Sequence, residues 1–234
     1  MSEQHQPLAA TLEATIQLGR KKLYSVGEEV AHAITHGLGF VLAIAGLTVL
    51  VARATLYGNE WHIVSSAIFG STLVLMYMAS TLFHSIPLPR AKHILRVIDH
   101  VSIYFLIAGT YTPFALVTLH GVWGWWMFGF TWGLALVGAV FKIFYTGRYE
   151  KLSLIIYLGM GWCMVVAIKP LLHALPTGGL LLILAGGLSY TGGVAFYVFE
   201  RMRYHHAVWH VFVLGGSLFH YFAVLFYVVP GAAS

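Results

Sequence analysis

The sequence predicts an all-α polytopic membrane protein, a seven-transmembrane helical bundle with its N-terminus in the cytoplasm and its C-terminus outside. Three observations carry that prediction. The chain is 59% hydrophobic and only 9% charged, where a soluble domain of this size carries about 25% charged residues. A bilayer crossing takes about 20 mostly apolar residues, and such stretches recur seven times, near 30–52, 62–84, 97–118, 122–144, 152–171, 178–199 and 207–229. The basic residues also divide by side: eleven (Arg20, Lys21, Lys22, Arg90, Lys92, Arg96, Lys142, Arg148, Lys151, Arg201 and Arg203) fall on the N-terminal side, and two (Arg53 and Lys169) on the other. Positive charge stays in the cytoplasm, which fixes the orientation.

Residues 1–29 form a cytoplasmic N-terminal segment in which Leu8, Leu12, Ile16 and Leu23 space a short amphipathic helix suited to the inner-leaflet surface. Residues 30–229 form the seven-helix domain and 230–234 an external tail. The first apolar run follows Arg20-Lys21-Lys22 and is too long for a signal-peptide core, so it is read as a retained span. The second span runs inward and ends at Ser80 and His84, and Trp61 marks its outer boundary. The third starts inside with Asp99 and His100. Pro113 is expected to bend it, because proline lacks a backbone donor and clashes with the preceding turn; Thr110 and Thr112 are placed to satisfy the freed carbonyls.

The fourth span begins with Trp123, Trp125 and Trp126 in the outer aromatic belt. Its Gly129 and Gly133 make a GxxxG pattern, explained at least as well by packing within the chain as by homo-oligomerisation. The fifth span holds Cys163, the single cysteine, which excludes an intrachain disulfide and a thiolate zinc cluster. No repeat or low-complexity linker divides the chain. The net charge of +5 follows the positional asymmetry and gives no reason to expect a nucleic-acid partner; the partners expected are membrane lipids.

The seventh span also starts inside, which puts His206 and His210 in its first turns. Being four apart, both rings project from one helix face, roughly 5–6 Å apart at Cβ. Two imidazoles on one helix with a third ligand from elsewhere is a zinc pattern, and His84 supplies that third ligand at matching depth. Glu29, His32 and His36 share one face at the inner start of the first span. Four spans thus bring ionisable groups to one depth, where their cost normally marks function. Each group alone has an ordinary alternative. His84 or His210 is a hydrogen-bonded bundle residue, Ser80 bonds back to its own helix, and Glu29 complements a helix N-terminus. His205, His93 and His100 are expected at the aqueous boundary.

Zinc is the metal expected, since imidazole suits it and a catalytic zinc keeps three protein ligands plus water. Water held by zinc has its pKa lowered to about 7, which supplies a nucleophile at neutral pH. Asp99 is placed to orient that water or take its proton, and Ser80 to donate to a developing oxyanion. A site among lipid-embedded helices points to hydrolysis of a lipid amide or ester.

Several motifs resemble the hemolysin III branch of the progestin and adipoQ receptor (PAQR) family: Ser80-x-x-x-His84, Arg96-Val-Ile-Asp99-His100-x-x-Ile103, and His206-x-x-x-His210 with His220 beyond. Glu28-Glu29-x-Ala31 leading to Thr35-His36-Gly37, and Ala108-Gly109-Thr110-Tyr111-Thr112-Pro113-Phe114, add to the likeness, which runs from about residue 24 to 229. The resemblance implies zinc on His84, His206 and His210, with Asp99 holding the metal-bound water, and a bacterial inner-membrane location. It further implies a link to control of membrane fluidity and, through the alkaline ceramidases, to amide hydrolysis. His32 departs from the asparagine that bacterial relatives often carry there. Two alternatives stand beside a hydrolase: a lipid sensor with structural zinc, and a pore-forming cytolysin. The cytolysin is disfavoured because the polar residues cluster at one end of the spans.

Overall fold

The computed structural model describes residues 24–231. The amphipathic stretch ending at Leu23 and the basic cluster at 20–22 lie outside the described residues. The helices are α1 (Val26–Tyr57), α2 (Glu60–Ser85), α3 (Pro89–Pro113), α4 (Gly121–Tyr145), α5 (Glu150–Gly161), α6 (Ile168–Ala174), α7 (Thr177–Val198) and α8 (His205–Tyr227). A π-helical stretch, Phe114–Leu119, extends α3, and a 3-10 stretch, Cys163–Ala167, joins α5 to α6. Among the described residues they make seven helical segments long and apolar enough to cross a membrane, the third being Pro89–Leu119 and the fifth Glu150–Ala174. The protein is therefore an all-α, multi-pass membrane protein.

Helix α1 starts where Ser25 caps it. The Ser25 hydroxyl accepts from Glu28 N–H (3.3 Å), and the Glu28 carboxylate accepts from Ser25 N–H (2.9 Å). That reciprocal capping box satisfies two otherwise orphaned donors. Glu28 also accepts from Tyr204 N–H (3.3 Å), which ties the start of α1 to the start of α8. Asn59 caps α2 by accepting from Trp61 and His62 N–H. At 32 residues, α1 is about 48 Å long at 1.5 Å per residue, longer than a hydrocarbon core of about 30 Å. Its first turns, with Glu29, His32 and His36, therefore lie near one face of the bundle.

Neighbours in sequence pack together along α1–α2–α3–α4, and α7 packs on α8. Helix α8 returns to α1, which brings the chain's last span against its first. The second and third spans are the most enclosed, and the largest core cluster includes Phe69, Met76, Tyr77, Leu106, Phe114 and Val224. Large apolar side chains such as Val122, Val137, Ile155 and Leu188 face outward, as a lipid-facing surface requires.

Three local expectations are corrected. The winding changes from α to π directly after Pro113. The Thr110 and Thr112 hydroxyls donate to Leu106 and Ala108 carbonyls, each on its own preceding turn, and neither reaches the Gly109 carbonyl that Pro113 leaves without its usual donor. Among the described residues no atom lies within 4 Å of a Cβ added at Gly129 or Gly133, so the GxxxG face is not a packing seam between the described helices. The fifth span is broken in its middle. Tyr111 Oη on α3 donates at 2.9 and 2.7 Å to the Met160 and Gly161 carbonyls and accepts from Met164 N–H at 2.9 Å. Backbone without helical partners is tolerated at membrane depth only when protein supplies them, and Tyr111 does so here.

Candidate metal centre

Two helices supply the imidazoles of the cluster. His84 ends α2, where Asn59 and the helix length fix its depth, and His206 and His210 open α8 one turn apart. Their ligand atoms all lie within 4.8 Å of one another. The ring centroids are 5.4 Å apart for His84–His206, 5.2 Å for His84–His210 and 4.6 Å for His206–His210. His84 and His210 are buried, and His206 is half-buried. The three residues that helical spacing and depth single out are together in space.

Their hydrogen bonds leave nitrogens free for a cation. His84 Nδ1–H donates to Glu29 Oε2 at 2.6 Å, while its Nε2 is buried with no partner. His210 Nδ1 lies 3.1 Å from Thr35 Oγ1 and 3.3 Å from the His32 carbonyl. The Thr35 hydroxyl donates to the Ala31 and His32 carbonyls, so it is left to accept from Nδ1–H of His210. Both rings are thereby set in the tautomer whose Nε2 carries the lone pair. Metal-binding histidines are held in this way by a carboxylate or oxygen on the far nitrogen. His206 Nδ1 is also buried without a partner. Buried polar atoms normally find partners, and two unpartnered nitrogens converging with the Nε2 lone pair of His210 fit a metal ion. Histidine nitrogens suit zinc among divalent cations, so the donor set fits the cofactor expected from the sequence.

Glu29 is shared. Its other oxygen accepts from Lys92 Nζ at 2.7 Å, and Lys92 also lies over the Phe83 ring. His32, fully buried, sits among the other rings with neither nitrogen partnered among the described residues. His36 is buried too, stacks on His210 at 3.5 Å and meets Tyr77 edge-on. Tyr24 closes the outside of the cluster, its ring 4.7 Å from His32 and 5.4 Å from His206. Burial, then the carboxylates of Glu200, Glu29 and Glu28, push its phenol up to about 12, so it remains protonated at neutral pH.

A cavity of about 150 Å³ opens from the cluster. His206 and His210 border it together with Ser80 and Asp99, and the Asp99 carboxyl interacts with the Ser80 hydroxyl. Helices α3, α5, α7 and α8 bound the remainder, largely through apolar and aromatic side chains such as Ile103, Leu154, Trp162 and Val213. His220 borders it ten residues beyond His210, about 15 Å along α8, its Nδ1 bonded to the Gly216 carbonyl. Asp99 and Ser80 thus face the space beside the histidines, and His84 supports it from behind.

Several participants were not assigned roles from the sequence. Thr35 and Lys92 serve the cluster through His210 and Glu29. Glu150, at the start of α5, accepts from Arg96 (3.1 Å) and from the fully buried Lys142 (3.0 Å) and borders the cavity. A lysine at a predicted span end gives no sign of which carboxylate it will meet. His205, expected at the aqueous boundary, is buried, with Nδ1 3.1 Å from the Phe196 carbonyl. His93 is exposed, and His100 Nδ1 bonds to the Arg96 carbonyl at 2.7 Å.

Residues 24–221 match the profile of a family described as Haemolysin-III related. The chain is 49% identical over 207 residues to "Hemolysin-3 homolog" of Bacillus subtilis (strain 168), covering 88% of this chain and 97% of that one. It is 46% identical over 208 residues to "Hemolysin-3" of Bacillus cereus, with 89% and 95% covered. It is 30% identical over 207 residues to the human "Monocyte to macrophage differentiation factor", with 86% and 84% covered. Seven membrane-spanning helices, a histidine cluster at one end and likeness along nearly the whole chain agree: the protein belongs to the Haemolysin-III related family.

Proposed function

We propose that the protein is a zinc-dependent hydrolase of a membrane-lipid amide or ester, working at the cytoplasmic face in the homeostasis of the bilayer. The observation that carries this is one shared cavity: two of three convergent histidines, the Asp99 carboxylate and the Ser80 hydroxyl border a space whose remaining walls are largely apolar and aromatic, with Glu150 and His220 among the few other polar groups. Largely apolar pockets with a few convergent polar groups are how proteins take such ligands. His84, His206 and His210 hold the metal, and Glu29 and Thr35 orient the first and last of these rings. Bound zinc lowers the pKa of water and polarises a carbonyl. Asp99 accepts a proton at the cavity wall, and Ser80 Oγ donates to the oxygen on which charge develops. The apolar walls between α5 and α7 receive the acyl chain and exclude water.

The face is assigned by the eleven-to-two division of basic residues, since the cluster lies at the end where α1 and α8 begin. A sensor with purely structural metal does not need Asp99 and Ser80 on the cavity wall. The test is turnover of a long-chain N-acyl amide and of the matching ester by purified protein in mixed micelles, before and after chelation. Hydrolysis of one of them that chelation removes and zinc restores is expected. Metal-loaded protein that turns over neither contradicts the hydrolase reading.

A further inference from the structure

His32 has no role in the centre described above, yet it is the most enclosed imidazole in the cluster. Its residue is 0% exposed, and both ring nitrogens are buried without a hydrogen-bond partner among the described residues. Glu29 Oε2 is 3.8 Å from Nδ1, too far for a hydrogen bond. Leaving two polar atoms of one ring unpaired in the interior is costly.

The position of the ring is informative. Its centroid is 4.7 Å from His84, 4.9 Å from His206 and 5.4 Å from His210. With the three spacings among those rings, all six pairs fall between 4.6 and 5.4 Å. Four imidazoles on one tetrahedral zinc, with nitrogens at about 2.0–2.1 Å, place ring centres about 3.2 Å from the metal and hence about 5.2 Å from each other. The four rings therefore already stand at the corners that a four-histidine site needs. His36 makes the contrast: it stacks flat on His210 at 3.5 Å, a spacing that two ligands of one metal do not adopt.

The orientation of the ring differs from its position. In the rotamer present, the His32 nitrogen groups with Glu29 and His84, while His84, His206 and His210 form their own set. A half-turn about Cβ–Cγ exchanges the nitrogens with ring carbons and leaves the centroid nearly fixed. We propose that His32 is an exchangeable fourth ligand of the metal. Turned over, it closes the centre with four imidazoles; swung aside about Cα–Cβ, it vacates the fourth corner. Structural zinc sites are closed and catalytic ones keep an open position, and His32 lets one centre pass between the two. This rests on the metal reading of His84, His206 and His210.

The test is X-ray absorption on the full-length, zinc-loaded protein in detergent, counting imidazoles per metal from their multiple scattering. Lipid-free protein is expected to show four imidazoles. His32→Asn should keep one metal per chain with three imidazoles and one oxygen donor, and His36→Asn should keep four. Saturating azide, a small anionic metal ligand, should lower the wild-type count to three. Three imidazoles in the wild type, unchanged by His32→Asn, overturn the proposal, and so does a count held at four under azide. Should His32→Asn fail to fold, the wild-type counts with and without azide still decide. A wild-type protein that retains no metal instead refutes the underlying metal site, a distinct failure.

Discussion

Glu29 Oε2 lies 2.6 Å from His84 Nδ1, and this bond joins the first turns of α1 to the last turn of α2. Glu29 reaches Lys92 on α3 with its other oxygen, so one carboxylate holds three helices at the depth of the histidine cluster. It also fixes which nitrogen of His84 is free.

That relationship makes the first prediction. Glu29→Ala removes the group that orients His84, and loss of such an outer partner weakens metal binding about 10–100-fold. Competition against a chelator of known affinity measures this. Lys92→Met, which reaches His84 through Glu29, should have a smaller effect in the same direction. Unchanged affinity in Glu29→Ala would show that His84 does not depend on this bond.

Asp99 and Ser80 should separate from the metal. Asp99→Asn is expected to retain bound zinc and lose most turnover, because an amide cannot accept the proton. Ser80→Ala should lower the rate by on the order of 10²–10³-fold, as the loss of one oxyanion donor does. Metal content and initial rates on the same preparations check both. An Asp99→Asn protein that keeps its metal and its rate removes Asp99 from the reaction.

Tyr111 should matter to stability rather than to chemistry. It serves two carbonyls and one N–H where the fifth span breaks, and Tyr111→Phe leaves these groups unpaired among apolar neighbours. Each such loss costs about 1–3 kcal/mol. Thermal unfolding in detergent should show a lower midpoint for Tyr111→Phe with metal stoichiometry unchanged. An unshifted midpoint means that water or another group satisfies the break.

Orientation is tested separately. A reporter active only outside the cytoplasm, fused after Ser234, should be active, and one fused before Met1 should be silent. The reverse pattern would move the histidine cluster to the outer face.

Much of this was legible in the sequence, for identifiable reasons. His206 and His210 announce themselves because four residues make one helical turn plus a little, and apolar neighbours fix the helix around them. His84 follows from depth, since the basic residues orient every span. Seven spans follow from hydropathy, which the bilayer imposes on length and composition alone. The rest depends on which helix faces which. Thr35 behind His210, Lys92 behind Glu29, and Lys142 against Glu150 are pairings between spans with no fixed sequence separation. The break in the fifth span leaves no mark in the sequence because the apolar run continues through it, and its partner Tyr111 lies 49 residues before Met160. Gly129 and Gly133 misled in the opposite way: a packing motif faces outward.

Zinc stoichiometry tests the central claim most directly. Full-length protein, purified in detergent without added metal and analysed by inductively coupled plasma mass spectrometry, should carry about one zinc per chain by the three-histidine logic. His210→Ala should carry close to none while keeping its helical circular dichroism. Equal zinc in the two proteins, or another metal filling the wild-type site, would contradict the account.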